Sequence, residues 1–293
     1  MKKVKHRKTT MNMKQFIPAI FISIYRTLTR QRKGKYEIGK YEIEIPPNFA
    51  LPMYQNNNKL YDRFLPVLAK KLTCNKSIII DVGANIGDTA IAVLQHCTNP
   101  IICIEPSDVF FPYLEKNLKK LTLNDFNRVK TFKKLVGTGL FSGNISHSVN
   151  GTASVNIADS SVSTTYNTHT ALDELIEDSS NILLLKVDTD GFDFDVIKSA
   201  EKILSDSEPI LFWENQISED FQNKGFDELY SLLTIKGYKY IGYYLHKKPG
   251  VFLSFLGGID MRTENGAESG VCGLLRAYLF SVSPLLYAQR EWL

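Results

Sequence analysis

Apolar residues along this chain fall into two kinds of run, one short and continuous, the other spaced three and four apart. The continuous kind opens with Ile78-Ile79-Ile80-Asp81-Val82 and recurs over 101–104, 182–188 and 209–215, while 129–136, ending at Gly137, read as a third strand of mixed polarity. Apolar runs without polar alternation suit strands buried on both faces, as in a parallel sheet. The spaced kind lies between them. Ala90, Ile91, Val93 and Leu94 follow Gly87, and Phe110, Phe111, Leu114 and Leu118 follow Ser107, which is placed to cap their helix. Residues 194–204 and 219–235 read as two further helices. Residues 239–245 and 251–256 flank Lys247-Lys248-Pro249-Gly250 and read as a closing hairpin. Strands alternating with helices predict an α/β fold, a doubly wound, mixed but mostly parallel sheet of about seven strands.

The flanks carry weaker patterns. Residues 35–45 alternate until Pro46-Pro47, which suits a hairpin or an edge strand. Residues 60–70 read as a helix feeding the first parallel strand. The stretch 138–168 is rich in Ser, Thr, Asn and Gly and predicts a long loop or an extra hairpin, a place where acceptor specificity is built in such folds. Near the start, Phe16, Ile17, Ile20, Phe21, Ile24 and Leu28 share helical spacing, with Pro18 in the first turn. The apolar segment is too short to span a bilayer, and Arg26, Arg30, Arg32 and Lys33 stand where a signal peptide has small residues. It reads either as a basic amphipathic helix on an anionic membrane surface, or as a helix packed on the body or on a second copy. The expected organisation is a basic arm (1–34), an N-terminal extension (35–76), a main domain (77–257) and a tail without motifs (258–293).

Charge sharpens that division. The net charge is +4, yet the first forty residues hold twelve Lys or Arg against one acid, Glu37. The remaining chain is therefore acidic, with 23 basic and 30 acidic residues, and shows no basic groove for nucleic acid. Cys74, Cys97, Cys103 and Cys272 have neither disulfide nor metal spacing, which suits a reduced, cytoplasmic setting, peripheral to the inner face of a membrane if the arm binds one.

Candidate chemistry begins at Gly83-Ala84-Asn85-Ile86-Gly87, between a strand and a helix. Its two glycines allow a sharp turn and a close backbone approach to a ligand. A dinucleotide fingerprint would need G-x-G-x-x-G to accommodate a pyrophosphate, and this turn lacks it, which argues against an NAD enzyme. Glu105 ends the second strand about twenty residues on, where doubly wound folds hold ribose hydroxyls. A glycine turn and a ribose acid without pyrophosphate provision favour S-adenosylmethionine. Asp81 is placed to order the turn and to reach the methionine amino group.

The same residues resemble the FkbM-type S-adenosylmethionine-dependent methyltransferases. The matching pieces are Asp81-Val82-Gly83-Ala84-Asn85-Ile86-Gly87-Asp88, Ile104-Glu105-Pro106-Ser107 and Leu114-Glu115-Lys116-Asn117-Leu118. They continue with Ala171-Leu172-Asp173-Glu174-Leu175 and Leu185-Lys186-Val187-Asp188-Thr189-Asp190-Gly191-Phe192-Asp193. Together they run in order from about Ile78 to Asn215. The resemblance implies a class I methyltransferase, Rossmann-like, with strand order 3-2-1-4-5-7-6. It also implies a cofactor held by Asp81, Gly83, Ala84, Asn85, Gly87 and Glu105. The family usually carries glutamate where this chain has Asp190, which keeps the charge and shortens its reach. Leu51-Pro52, Tyr54 and 61–66 resemble the members associated with bacterial surface-polysaccharide synthesis; there Tyr54, Tyr61 and Arg63 either pack or line the cofactor mouth.

Methyl transfer to oxygen gains from a base near the methyl group. The fourth strand brings Lys186, Asp188 and Asp190 to the ligand edge, and clustered carboxylates raise one another's pKa. The alternative is that Lys186 pairs with an acid and Asp188 caps the turn at Gly191. Glu214, ending the fifth strand, is a further candidate for acceptor hydroxyls, while His147 and His169 read as solvated loop histidines. Asp188 and Asp190 lack a third ligand, so no metal is expected. The expected function is O-methylation of a sugar hydroxyl in a surface polysaccharide or its precursor. The alternative is a catalytically silent binding module of a membrane-associated synthesis complex.

Overall fold

The structure, a computed structural model, describes residues 34–57, 64–72, 77–139, 143–147, 153–157, 169–214, 217 and 219–238. The expected helix around 16–28, the closing hairpin over 239–256, the tail, Tyr61 and Arg63 lie outside the described residues. In chain order the strands are β1 (Lys35–Ile38), β2 (Tyr41–Glu44), β3 (Ile78–Val82), β4 (Ile101–Ile104), β5 (Val129–Phe132), β6 (Gly143–His147), β7 (Ala153–Ile157), β8 (Ile182–Val187) and β9 (Ile210–Trp213).

Five of them form one sheet in the order β5-β4-β3-β8-β9, every pair parallel. The chain builds outward from β3 through β4 to β5, then crosses over to β8 and β9. This doubly wound α/β order leaves a crevice at the reversal, between the carboxyl ends of β3 and its neighbours. β6 and β7 form the extra hairpin expected in 138–168, and β1 and β2 form the N-terminal one.

Strand alternation splits the core in two. Ile79, Ile101, Cys103, Leu184 and Ile210 face helices Leu51–Asn57, Phe64–Lys71, Asp88–Leu94 and Phe111–Leu118. Ile80, Val82, Ile102, Ile104, Leu185, Val187, Leu211 and Trp213 face Leu172–Leu175, Asp193–Lys198, Glu201–Asp206 and Asp220–Ile235. The β1–β2 hairpin is continuous with the first core through Ile38, Ile43 and Ile45. Buried Asn117 fastens it: its side chain accepts from Glu44 N–H (2.7 Å) and donates to the carbonyls of Glu44 (2.8 Å) and Ile86 (3.0 Å).

Three expectations change. The helix over 194–204 is two helices, broken at Ser199-Ala200. The Ser199 hydroxyl donates to the Val196 carbonyl and accepts from Leu172 N–H, while Asp173 accepts from Lys202 and Ile203 N–H and starts the second helix separately. The third strand stops at Phe132. Beyond it the chain leaves the sheet, Lys134, Leu135 and Val136 line the crevice, and Val136 makes one isolated bridge to Thr170. Ser107 acts one turn early, its hydroxyl accepting from Val109 and Phe110 N–H before the helix begins at Phe111.

Candidate active site

Register places the chemistry. Val82 lies opposite Ile104 on one side and Val187 on the other, so Glu105 and Asp188 emerge one residue later, flanking Gly83. The crowding is severe. Gly83 has φ +74°, and a Cβ there would lie 1.9 Å from the Asp188 carbonyl oxygen. Only glycine fits. The N–H groups of Gly83 and Ala84 donate to the Ile104 carbonyl (2.9 and 3.1 Å), stapling the turn to β4.

Glu105 locks the same turn from the other side. One carboxylate oxygen accepts from Asn85 N–H (2.8 Å) and the other from Ser107 N–H (2.9 Å). Its burial outweighs both bonds and pushes the carboxyl up to about 7. Burial likewise pushes Asp88, at the start of the next helix, up to about 6. Asp81 is buried and forms an ion pair with Lys186 at 2.8 Å, while its Oδ2 is sealed from solvent with no hydrogen-bond partner among the described residues. Lys186 is only 4% exposed; it also donates to the Gly83 carbonyl (3.0 Å) and stands 3.7 Å from Asp188. One ammonium thus links the glycine turn, the acid beneath it and the next strand.

The β8–β9 edge is acidic. The Asp188 side chain is 43% exposed, whereas Asp193 is fully buried and accepts from Thr189 N–H (2.8 Å) and its hydroxyl (3.0 Å). Burial and then Asp188 hold the Asp193 carboxyl well above its ordinary value. Glu214, 8% exposed, follows Trp213 beside Asp188 on the neighbouring strand; burial, then Asp188, Asp193 and Asp190, push it far above the carboxylate range. Asp190 sits on a left-handed turn at φ +53°, a conformation that aspartate tolerates better than most residues. Burial, then the charge of Asp190, raises the Tyr54 phenol, so the helix Leu51–Asn57 stands close to this edge.

Between the two edges lies a cleft of about 670 Å³, open to solvent and lined by Gly83, Glu105, Lys134, His169, Asp188 and Asp195 among others. Asn85 and Asp190 also line it, whereas Ala84 and Gly87 are buried behind the turn. Sequence reasoning missed three lining residues. Buried Asp195 accepts from the N–H (3.0 Å) and hydroxyl of Thr138. His169, read as a solvated loop residue, is half-buried beside it, and burial lowers its imidazole against the pull of Asp195. Lys134 enters with the segment that leaves the sheet after β5. The signal available was local: Asp195 lies two residues past the Asp188–Asp193 motif, and His169 two before the Ala171 motif. Among the described residues no cluster of three metal-ligand side chains occurs.

Residues 81–240, more than half of the chain, match the model of the methyltransferase FkbM domain. The chain belongs to the FkbM methyltransferase family. Among solved structures it is similar to methyltransferase FkbM from Methylobacillus flagellatus KT at 18% identity, covering 57% of this chain and 39% of that one, with a TM-score of 0.41. An O-methyltransferase from Bacillus cereus in complex with SAH matches at 14% identity over 83% and 89% of the two chains, TM-score 0.43. TYW2 of M. jannaschii in complex with AdoMet matches at 12% identity over 75% and 82%, TM-score 0.43. No curated protein matches the chain. The family's cofactor is S-adenosylmethionine, and the residues present fit it. Each Glu105 oxygen keeps a lone pair beyond its backbone bond, at the wall of a cleft beside a turn whose one large apolar side chain, Ile86, is buried away from it.

Proposed function

We propose that this FkbM-family methyltransferase O-methylates a sugar hydroxyl, in a surface polysaccharide or its precursor. The observation that carries this reading is the placement of Glu105 and Asp188 on either side of Gly83. Glu105 accepts the ribose hydroxyls. Gly83, Ala84, Asn85 and Gly87 shape the turn around the methionine end, and Asp81 orders that turn through Lys186. S-adenosylmethionine, when bound, supplies an activated methyl on a sulfonium centre. The protein's own task is then to hold an acceptor oxygen in line and to take its proton. Asp188 is the base, being the carboxylate of this edge that combines exposure to the cleft with an anchored backbone. Asp190, beside Tyr54, contacts the acceptor. Lys186 is a positioning residue, because its ammonium is buried and engaged by Asp81 and Gly83. An edge dominated by carboxylates suits a neutral, hydroxyl-bearing acceptor over an anionic one.

The sugar is suggested by the resemblance at Leu51-Pro52 and Tyr54. The test is isothermal titration of the protein with S-adenosylhomocysteine. S-adenosylmethionine is then incubated with free and nucleotide-activated hexoses, and release of S-adenosylhomocysteine is followed. Binding with hexose-dependent release supports the reading. Binding without release on any acceptor favours the silent module. No helix of the described residues is long and apolar enough to cross a membrane. Contact of residues 1–34 with an anionic membrane is part of the proposal, and co-sedimentation of the full chain with anionic liposomes at low salt tests it.

A further inference from the structure

The acidic edge contains a group that the reading above does not use. Glu214 follows Trp213, whose strand partner is Val187, so Glu214 and Asp188 are successive cross-strand neighbours at the ends of β9 and β8. That register sets the two carboxyl groups side by side, within reach of a shared hydrogen bond when one of them carries a proton. Two ionised carboxylates at that distance would repel, and burial makes the repulsion stronger. The proton belongs on the deeper group. Glu214 is 8% exposed, whereas the Asp188 side chain is 43% exposed and has the Lys186 ammonium 3.7 Å away to stabilise its charge. The other groups facing Glu214, Asp190 and Asp193, add negative charge and push the same way.

We infer that Glu214 is a positioning residue that stays protonated at neutral pH and donates its O–H to Asp188, holding one proton and one negative charge across the pair. The consequence for catalysis rests on the proposed role of Asp188. One of its oxygens is tied back to Glu214, and the remaining lone pairs are presented to the cleft. Glu214 itself never ionises during turnover, so a neutral donor of the same shape should replace it.

The test reads the proton directly, on full-length protein without cofactor or acceptor. Infrared spectra at about pH 8 should show a protonated carboxylic-acid C=O band that Glu214→Gln removes in whole or in part. Asp188→Asn should shift the Glu214 component, because its hydrogen-bond acceptor changes from an anion to an amide. No component lost in Glu214→Gln, or a Glu214 component indifferent to Asp188→Asn, would overturn the inference. A thermal readout checks the sign. The raised pKa of Glu214 destabilises wild type increasingly as pH rises above the ordinary carboxylate value. The melting temperature of Glu214→Gln should therefore gain on wild type between pH 5 and pH 8; a constant difference would count against a buried proton. With an acceptor in hand, Glu214→Gln should keep turnover within about threefold, while Glu214→Ala loses about tenfold or more. A Glu214→Gln enzyme as inactive as Asp188→Asn would show that Glu214 must ionise. Full turnover by Asp188→Asn would instead sink the base assignment and leave the infrared result standing.

Discussion

The two sides of the cleft are built on opposite principles. On the β3–β4 side the polar groups are closed on one another: Glu105 is bound by two backbone N–H groups, and the turn is stapled to Ile104. On the β8–β9 side carboxylates crowd together with one buried ammonium between them and the turn, and burial with neighbouring charge drives Asp193 and Glu214 up. A side that is complete before ligand arrives is suited to binding a fixed shape at little reorganisation cost. A side with crowded, perturbed acids is suited to moving a proton. In the proposed division of labour, binding and chemistry are separated by the width of one strand.

That contrast can be broken from either side. The largest effect is expected at Asp188→Asn, which should lower turnover by about 10²–10⁴-fold while affinity for S-adenosylhomocysteine stays within about threefold. Steady-state kinetics beside calorimetry will show the split, and a matching loss of affinity would erase the division of labour. Gly83→Ala strikes both sides at once. Its Cβ meets the Asp188 carbonyl at 1.9 Å in a left-handed backbone, so a loss on the order of 3 kcal/mol of stability is expected in chemical denaturation. Glu105→Ala should weaken S-adenosylhomocysteine binding by about 1–3 kcal/mol, with turnover lost only through affinity. Unchanged affinity would place the ribose elsewhere.

The smallest effect is a pH dependence. Glu105 carries a carboxyl raised to about 7, and Asp81 and Lys186 are the charged groups nearest it in effect. The ionised form accepts hydroxyl donors, so affinity should rise with pH and level off above 7. Below 7 it should fall by up to about tenfold per unit. Stability of the cofactor-free protein runs the other way. A raised carboxyl pKa contributes stability below the unfolded value, lost as pH rises through 7. Calorimetry from pH 5.5 to 8.5 on wild type and Glu105→Gln checks both signs, since the variant should flatten each slope.

Much of this was legible along the chain. The apolar runs at Ile78, Ile101 and Ile182 became β3, β4 and β8, and the residue after each run reached the cleft edge, because parallel pairing carries register from strand to strand. Gly83, Glu105 and Asp188 reach the cleft that way, whereas Asp81 lies inside the first run and is buried beneath the turn. The break at Ser199 was not legible, since Asp173, which starts the second helix, lies some thirty residues upstream. Lys186 was read either as catalytic or as the partner of an acid; its ammonium turns inward to Asp81, a choice that depends on a neighbour 105 positions earlier.

What the sequence determines by itself is local and periodic: which segments become strands and helices, and where a glycine turn precedes a helix. It also carries the ordered motifs that identify the family. What only the tertiary structure decides is non-local. The pairing of β8 with β9 makes neighbours of Asp188 and Glu214, and the bridge from Val136 to Thr170 brings His169 to the cleft. Protonation follows the same rule. A carboxyl's charge is set by the water it loses and the charges it gains, and both depend on residues remote in sequence.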